Sequence, residues 1–142
     1  MVDRVVAGLD LGPGSQRVLQ EARSLADQLG CPLLAIHVLV PAWMMLPESA
    51  LPCEPDLKLD GPKLAKARAR MTEILDNNPG VEIQFLWGWP WRQLLRAAGP
   101  ADWLVIGRQT GGRCWHTLFR DTLGFLTRRS QGRLVVVPYS VK

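Results

Sequence analysis

Short apolar runs alternate with amphipathic segments along this 142-residue chain, and this alternation constrains the fold more than any other feature. A run of four to eight apolar residues is typical of a buried strand, and an apolar stripe that repeats every three or four residues is typical of a helix. Five such runs occur, at residues 4–9, 33–40, 81–87, 103–106 and 134–137. The alternation predicts an α/β fold: a single layer of five parallel strands, with strand five at an edge and helices on both faces.

Capping and breaking residues predict where the helices begin and end. The first helix is expected to have Ser15 as its N-cap and to stop at Gly30, and the third is expected to begin near Pro90. The second is expected to open near Gly61 with these residues on one side: Leu64, Ala67, Arg68, Met71, Ile74 and Leu75. Residues 81–87 alternate in polarity, which favours an edge strand. The fourth strand is expected to break at Gly107, and the five prolines of residues 41–62 indicate a long loop.

Composition restricts the class of protein. The chain is 47% hydrophobic and 21% charged, which is typical of a soluble globular domain, and its length predicts one domain over residues 1–142. No apolar run approaches the roughly 18 residues that span a bilayer, and the N-terminus does not resemble a signal peptide, so a cytoplasmic location is expected. The net charge of +4 is spread along the chain, and no nucleic-acid-binding motif accompanies it.

The residues that usually carry catalysis or metal binding form no convincing set. Three cysteines without a C-x-x-C pair indicate neither a disulfide framework nor a zinc site. His37 lies within an apolar run, where a hydrogen-bonded core histidine is the favoured interpretation, and His116 has no evident nucleophile partner. No enzymatic activity and no metal are therefore predicted.

Two further segments have both a structural and a functional interpretation. Gly12-Pro13-Gly14 lies between a strand and a helix but matches no phosphate-loop pattern, so a tight turn is favoured over a phosphate site. Trp87, Trp89 and Trp91 form either a binding platform or, as we favour, the packing between a strand end and a helix start.

The chain resembles the universal stress protein family over nearly its whole length. The resemblance is carried by these segments in this order: VVAGLD from Val5, LLAIHV from Leu33, Gly88 with Pro90, ADWLVIG from Ala101 and LVVVP from Leu134. It implies an adenine nucleotide alpha hydrolase-like, Rossmann-like sheet of order 3-2-1-4-5 and a homodimer. In one branch of the family, it also implies a nucleotide between strands one and four, with the phosphates on G-x-x-G, nine residues, then G-[ST].

Only part of the family's nucleotide-binding motif is present in this chain. The resemblance places Asp10, Val38 or Leu39 beside the adenine and makes Gly107 the first glycine of the motif. Thr110 stands where the second glycine belongs, and Arg120-Asp121 replaces the final Gly-[ST]. Thr resists the backbone conformations that glycine adopts, and Asp121 adds negative charge where a polyphosphate would lie. Arg108, Arg113 and Arg120 could instead form a non-standard phosphate loop.

We therefore expect a non-enzymatic, stress-response homodimer that acts through an unknown protein partner and has no bound cofactor. The dimer would form through the edge strand from Leu134 to Val137, whose apolar edge is otherwise bare. Asp121 is expected to be the N-cap of a fourth helix, from about Thr122 to Arg129, and to exclude phosphate from it. The alternative is an adenine-nucleotide sensor that holds ATP on the arginine-rich loop. A flavoprotein-like domain with the same sheet has no support in this loop.

Overall fold

The computed structural model describes residues 4–40, 61–76, 78–110, 126–128 and 133–140. Within these ranges strands and helices alternate as the apolar pattern predicts. Their bounds are β1 Val5–Gly8, α1 Ser15–Leu29, β2 Leu33–Leu39, α2 Gly61–Leu75, β3 Glu82–Trp87, α3 Pro90–Ala97, β4 Trp103–Thr110 and β5 Arg133–Ser140. Residues 126–128 are also helical. Residues 41–60 of the predicted loop and the predicted start of a fourth helix at Asp121 lie outside the described residues.

The five strands form one parallel sheet in the order β3-β2-β1-β4-β5, which confirms the predicted α/β fold and the strand order that the family resemblance implies. The short β1 is the central strand. Its Val5 lies opposite Leu33 of β2 and opposite Trp103 of β4. A strand with neighbours on both sides and helices on both faces is fully buried, so every position needs an apolar or small residue. The sequence VVAG of β1 meets that requirement.

Two hydrophobic layers cover the two faces of the sheet. On one face, alternate strand residues such as Val5 and Ala7 pack against α1 and α2. On the other face, Val6 and its neighbours pack against α3 and Leu126. Since successive strand residues point to opposite faces, the nearly continuous apolar runs of β1 and β2 supply both layers. The helices therefore lie on both faces, as predicted.

Helix α1 ends as predicted but does not begin as predicted. Gly30 has φ +65°, and its amide donates to the carbonyls of Ala26 and Asp27, which confirms the predicted glycine stop. Ser15, however, is the first residue of the helix, and Gly14 occupies the N-cap position. The predicted Ser15 cap is therefore wrong: the helix begins one residue earlier than expected, and the Ser15 hydroxyl donates to the carboxylate of Asp10, 3.1 Å away. A hydrogen bond to a charged acceptor is stronger than one between neutral groups.

Strands β4 and β5 are both longer than the apolar runs suggest. The predicted break at Gly107 is wrong, since β4 continues to Thr110 and its backbone stays paired with β5 from Trp103 opposite Arg133 to Thr110 opposite Ser140. Pro138 lies within this pairing, opposite Arg108. Proline is tolerated there because β5 is an edge strand. Parallel pairing therefore overrides the local signals of a glycine and a proline.

The remaining elements agree with the sequence apart from one side chain. Pro90 lies at the first turn of α3, and β3 is an edge strand with largely exposed residues. In α2 the buried residues are Ala67, Met71 and Ile74. Arg68 is exposed, which contradicts its predicted place on the apolar side, because it lies one helical position beyond Ala67. No helix in the described ranges is long and apolar enough to cross a membrane.

An ion pair joins the chain segments at the amino end of the sheet. Asp102, which is 5% exposed, accepts hydrogen bonds from the amide of Gly99 at 2.9 Å and from Nε of Arg4 at 3.2 Å. A second guanidinium nitrogen of Arg4 donates to the carbonyl of Ala97 at 2.6 Å. These bonds tie the start of β1 to the end of α3 and to the turn that leads into β4.

Candidate functional site

The carboxyl ends of β1 and β4 lie side by side, with α1 on one face of the sheet and α3 on the other. Such a switch point leaves a crevice between the loops that follow the two strands, and α/β proteins bind ligands there. The sequence places Asp10 after β1, and the structure places Gly107 on the adjacent β4, so two of the predicted residues lie at the carboxyl ends of neighbouring strands. We call the carboxyl ends of β1 and β4 the switch point.

The carboxylate of Asp10 is engaged within the chain. Its Oδ1 accepts a hydrogen bond from the amide of Gly12 at 2.8 Å and one from the hydroxyl of Ser15 at 3.1 Å. Ser15 is 1% exposed. Asp10 therefore closes a short turn on its own backbone and fixes the first residue of α1, as aspartates in turns commonly do. The same oxygen cannot serve a ligand without giving up one of these bonds.

The turn after Asp10 contains a backbone conformation that the sequence does not reveal. Leu11 has φ +62°, which side chains other than glycine rarely adopt, whereas neither Gly12 nor Gly14 is in the left-handed region. The carbonyl of Leu11 accepts a hydrogen bond from Nε of Arg70, 3.2 Å away on α2. The tight turn predicted for Gly12-Pro13-Gly14 is confirmed, but its strained residue is the leucine that precedes it.

Tyr139 of β5 lies across the switch point, and sequence reasoning missed it. A methyl group on Gly14 would lie 2.5 Å from three of its ring carbons, so the ring lies flat against the bare Cα of that glycine. A methyl group on Gly107 would lie 2.9 Å from Cε1 of the same ring and 2.8 Å from Cγ2 of Val18. Tyr139 therefore bridges the turn after β1 and the strand β4. The signal available in sequence was that Tyr139 follows the last apolar run by two positions.

The other predicted site residues are dispersed. Val38 and Leu39 are 5% and 1% exposed, and as successive residues of β2 they point to opposite faces of the sheet, where they are buried. Arg108 is exposed on β4, and Thr110 ends that strand with its backbone paired to Ser140. Arg120, Asp121 and Arg113 lie outside the described residues. The structure therefore places Asp10 and Gly107 on neighbouring strand ends, and of the three predicted arginines only Arg108 lies within the described residues.

His37 connects β2 to the end of β1. Its Nδ1 lies 2.7 Å from the carbonyl oxygen of Leu9, so this nitrogen carries a proton and donates it. The ring of Phe85 meets it edge-on, with centroids 6.3 Å apart. Burial lowers the pKa of His37 below 6.5, since desolvation outweighs the opposing effects of the Leu9 carbonyl and of Asp10, and nearby Lys63 lowers it further. The predicted hydrogen-bonded core interpretation agrees with this geometry.

The depressed pKa of His37 predicts a loss of stability in mild acid. Above about pH 7 the imidazole is neutral in both the folded and the unfolded chain, so it adds no pH dependence. As the pH falls through 6.5, the unfolded chain binds the proton first, and stability declines until the folded pKa is passed. Thermal unfolding between pH 5 and pH 7.5 measures this slope.

Asparagine is the matched control for His37, because its side-chain amide can donate to the Leu9 carbonyl but does not titrate. His37→Asn is expected to flatten the acid slope, and His116 is present in both proteins and cancels from the comparison. An equal slope in the two proteins would contradict the assignment.

The tryptophans near Gly88 are divided between packing and exposure. Trp91 packs against the hydrophobic layer beneath α3, which agrees with the favoured packing interpretation. Trp87 is half-buried at the end of β3, and Trp89 is 36% exposed. Gly88, with φ +138°, donates its amide to the carbonyl of Leu39 and turns the chain away from the sheet. Within the described ranges, no three His, Cys, Asp or Glu side chains are close enough to hold a metal ion.

Comparison with known proteins places this fold in a family. The sequence profile of the universal stress protein family matches residues 1–138. The chain belongs to the universal stress protein family. Members of this family are generally stress-response proteins. A search of curated proteins finds no match for this chain.

Several solved universal stress proteins share the fold at low sequence identity. UspA from Lactobacillus plantarum has a TM-score of 0.72 and 18% identity, over 96% of this chain and 99% of that one. A universal stress protein in complex with cAMP has a TM-score of 0.62 and 21% identity, over 95% and 96% of the two chains. One from Archaeoglobus fulgidus in complex with dAMP has a TM-score of 0.57 and 18% identity, over 96% and 99%.

Proposed function

We propose that this universal stress protein is a cytoplasmic, non-enzymatic regulator that acts as a homodimer through protein contacts and binds ATP weakly or not at all. The observation that carries the proposal is the carboxylate of Asp10, which is already hydrogen-bonded to the Gly12 amide and the Ser15 hydroxyl. The family resemblance places this residue beside the adenine. A nucleotide that used Oδ1 of Asp10 would have to displace one of these two bonds, which costs free energy at a partly buried site, and would otherwise meet this residue through Oδ2 alone.

Sequence differences in the phosphate motif support weak binding. Thr110, Arg120 and Asp121 replace the residues of the G-x-x-G and G-[ST] positions. The Thr110 backbone is held in the parallel pairing of β4 with Ser140, an extended conformation rather than a phosphate loop. At Asp121, a carboxylate at the start of the last helix would occupy the position of a phosphate and repel it.

The alternative function is an adenine-nucleotide sensor. The cAMP and dAMP complexes of structurally similar family members favour it. The exposed guanidinium of Arg108, one residue past Gly107 at the switch point, is available to an anionic ligand. Arginine binds phosphate through paired hydrogen bonds, so a site of this kind would depend on side chains rather than on glycine amides.

Calorimetric titration with Mg-ATP distinguishes the two functions. The unmodified protein is expected to bind with a Kd weaker than about 1 mM, which corresponds to about −4 kcal/mol. The triple variant Thr110→Gly, Arg120→Gly, Asp121→Ser restores the motif and is expected to gain measurable affinity. Arg108→Ala tests the alternative function, because it removes the guanidinium that would bind the phosphates. Micromolar binding that Arg108→Ala abolishes would establish the alternative in place of our proposal.

The proposed homodimer would use the free edge of β5. This strand has no neighbour beyond β4 in the described sheet, and Val136 is 36% exposed on it. A bare edge with apolar side chains favours pairing with a second copy about a twofold axis. Light scattering is expected to show a dimer at micromolar concentration, and Val136→Lys is expected to shift it toward monomer. Thr72→Lys, an exposed change on α2, is the control. A monomeric unmodified protein would contradict the proposed dimer.

A further inference from the structure

Helix α2 carries its charges in an order that does not stabilise the helix itself. Its first ten residues contain no acidic residue and four cations, which are Lys63, Lys66, Arg68 and Arg70. Its acidic residue, Glu73, lies in the last turn. Anions are favourable near the N-terminus of a helix and cations near its C-terminus, so this order is the reverse of the one that the helix dipole favours. The charges of α2 therefore need a reason outside the helix.

Three of the four cations form a row along one side of α2. Lys63, Lys66 and Arg70 are spaced three and four residues apart, so they are neighbours on the helix surface and span about 10 Å along its axis. Arg68 lies about 200° round the helix from Lys66 and does not belong to the row. We call Lys63, Lys66 and Arg70 the basic row. Like charges at such spacings repel one another, which adds to the cost of the arrangement.

The charge of the basic row is only partly balanced within the described ranges. Lys63 and Nε of Arg70 each donate to a backbone carbonyl, in the segments that follow β2 and β1 respectively, but neutral carbonyls cancel no charge. Nη1 of Arg70 lies 3.0 Å from Oε2 of Glu73, and both side chains of this ion pair reach solvent. Lys66 is exposed, and its ammonium has no hydrogen bond or ion pair with any described residue. One carboxylate therefore faces three cations.

The basic row is short and is followed by acidic residues. Glu73 and Asp76 come three and six residues after Arg70, and both are exposed. A nucleic-acid backbone or an anionic membrane would extend its negative charge past the end of the row, where these carboxylates repel it. A protein segment needs only a few carboxylates within about 10 Å, and glutamates at positions i, i+3 and i+7 of a helix have the same spacing as the row. The charges therefore favour a protein segment.

We propose that the basic row docks an acidic segment of a partner protein, a proposal that rests on the proposed function as a regulator acting through protein contacts. The helix that carries the row packs on β2, whereas β5, the edge of the proposed dimer, is at the far side of the sheet. Docking on α2 therefore does not compete with pairing through β5.

Fluorescence anisotropy with a labelled decaglutamate peptide tests the docking surface at an ionic strength of about 0.1 M, where the Debye length is about 10 Å. Lys66→Glu reverses the central charge of the row and is expected to weaken binding at least about tenfold. Arg68→Glu is the matched control, because it makes the same change in net charge at an exposed position of the same helix. A helix about 10 Å wide separates it from the row, so screening is expected to limit its loss to less than about threefold.

Thermal unfolding shows whether the loss of binding reflects a loss of structure. Lys66 and Arg68 are both exposed, so both variants are expected to keep the unfolding midpoint of the unmodified protein. A decaglutamate loss in Lys66→Glu that accompanies a lowered midpoint would contradict the docking role.

The remaining outcomes distinguish the occupants. Equal losses in the two variants would show attraction by the overall positive charge and would overturn the proposal, as would equal binding of the matching glutamine peptide or no binding of decaglutamate. Tighter binding of a single-stranded oligonucleotide or of phosphatidylserine vesicles, with the same loss in Lys66→Glu, would assign the row to another class of partner and would also overturn it. Failure of the proposed function reads differently: the unmodified protein would bind Mg-ATP tightly, while the difference between Lys66→Glu and Arg68→Glu in peptide binding would persist.

Discussion

Replacing Asp102 with alanine is expected to lower the free energy of unfolding by about 2–3 kcal/mol. This carboxylate is 5% exposed and holds the Gly99 amide and the Arg4 guanidinium together. Hydrogen bonds to a charged group contribute about 1.5–3 kcal/mol, and their loss leaves the Gly99 amide without this acceptor. Chemical denaturation followed by tryptophan fluorescence measures the change.

Asp102→Asn and a double-mutant cycle with Arg4→Ala separate the contributions at this site. Asparagine keeps an oxygen for the Gly99 amide but removes the charge, so it is expected to cost less than alanine. Arg4 is 37% exposed and also donates to Ala97, so the coupling between Arg4 and Asp102 is expected to be the smaller part of the total. Ordinary surface substitutions change the free energy of unfolding by less than about 0.5 kcal/mol. A loss that small for Asp102→Ala would show that its bonds to Gly99 and Arg4 contribute little to stability.

Gly14→Ala is expected to destabilise the protein by about 1–3 kcal/mol through overpacking. The new methyl group would lie 2.5 Å from the Tyr139 ring, well inside van der Waals contact, so the ring or the turn must move. Gly61→Ala is the matched control, because a methyl group there meets nothing within 4 Å. It is expected to leave stability unchanged within about 0.5 kcal/mol.

The cycle between Gly14→Ala and Tyr139→Ala isolates the contact from other effects of alanine at a helix start. Any loss of capping is common to both backgrounds, whereas the clash exists only when the ring is present. The cost of Gly14→Ala is expected to fall by at least about 1 kcal/mol in the Tyr139→Ala background. Because Tyr139 is the one tyrosine, fluorotyrosine labelling gives a single ¹⁹F signal that should shift in Gly14→Ala and not in Gly61→Ala. Additive costs with an unmoved signal would place the ring elsewhere.

The sheet could be predicted from the sequence because its signals are local. Apolar runs such as residues 33–40 identify buried strands, and stripes such as that of α1 identify helices, so the order of elements follows directly. The ends of β4 and β5 could not be read in this way. Gly107 and Pro138 are breakers by local rules, but each lies in a paired register that only the neighbouring strand supplies.

The candidate site was less accessible to prediction because its contacts join residues far apart in sequence. Asp10 and Gly107 could be placed at the carboxyl ends of neighbouring strands, since both directly follow apolar runs. The role of Ser15 was misread because its hydrogen-bond acceptor, Asp10, lies five residues earlier, outside the helix pattern. Tyr139 was missed because its contact with Gly14 joins β5 to the turn after β1, and only the folded sheet brings these two segments together.

The central place of β1 has a consequence for synthesis on the ribosome. Of the five strands, β1 leaves the ribosome first. Its neighbour β2 follows soon after, but its other neighbour is β4. The Arg4–Asp102 ion pair at the amino end of the sheet spans 98 residues of chain. Until residues 103–106 emerge, the nascent chain exposes one unpaired edge of its central, apolar strand. Unpaired strand edges promote association between chains. A chain that stalls before Trp103 would therefore present that edge to chaperones or to other nascent copies.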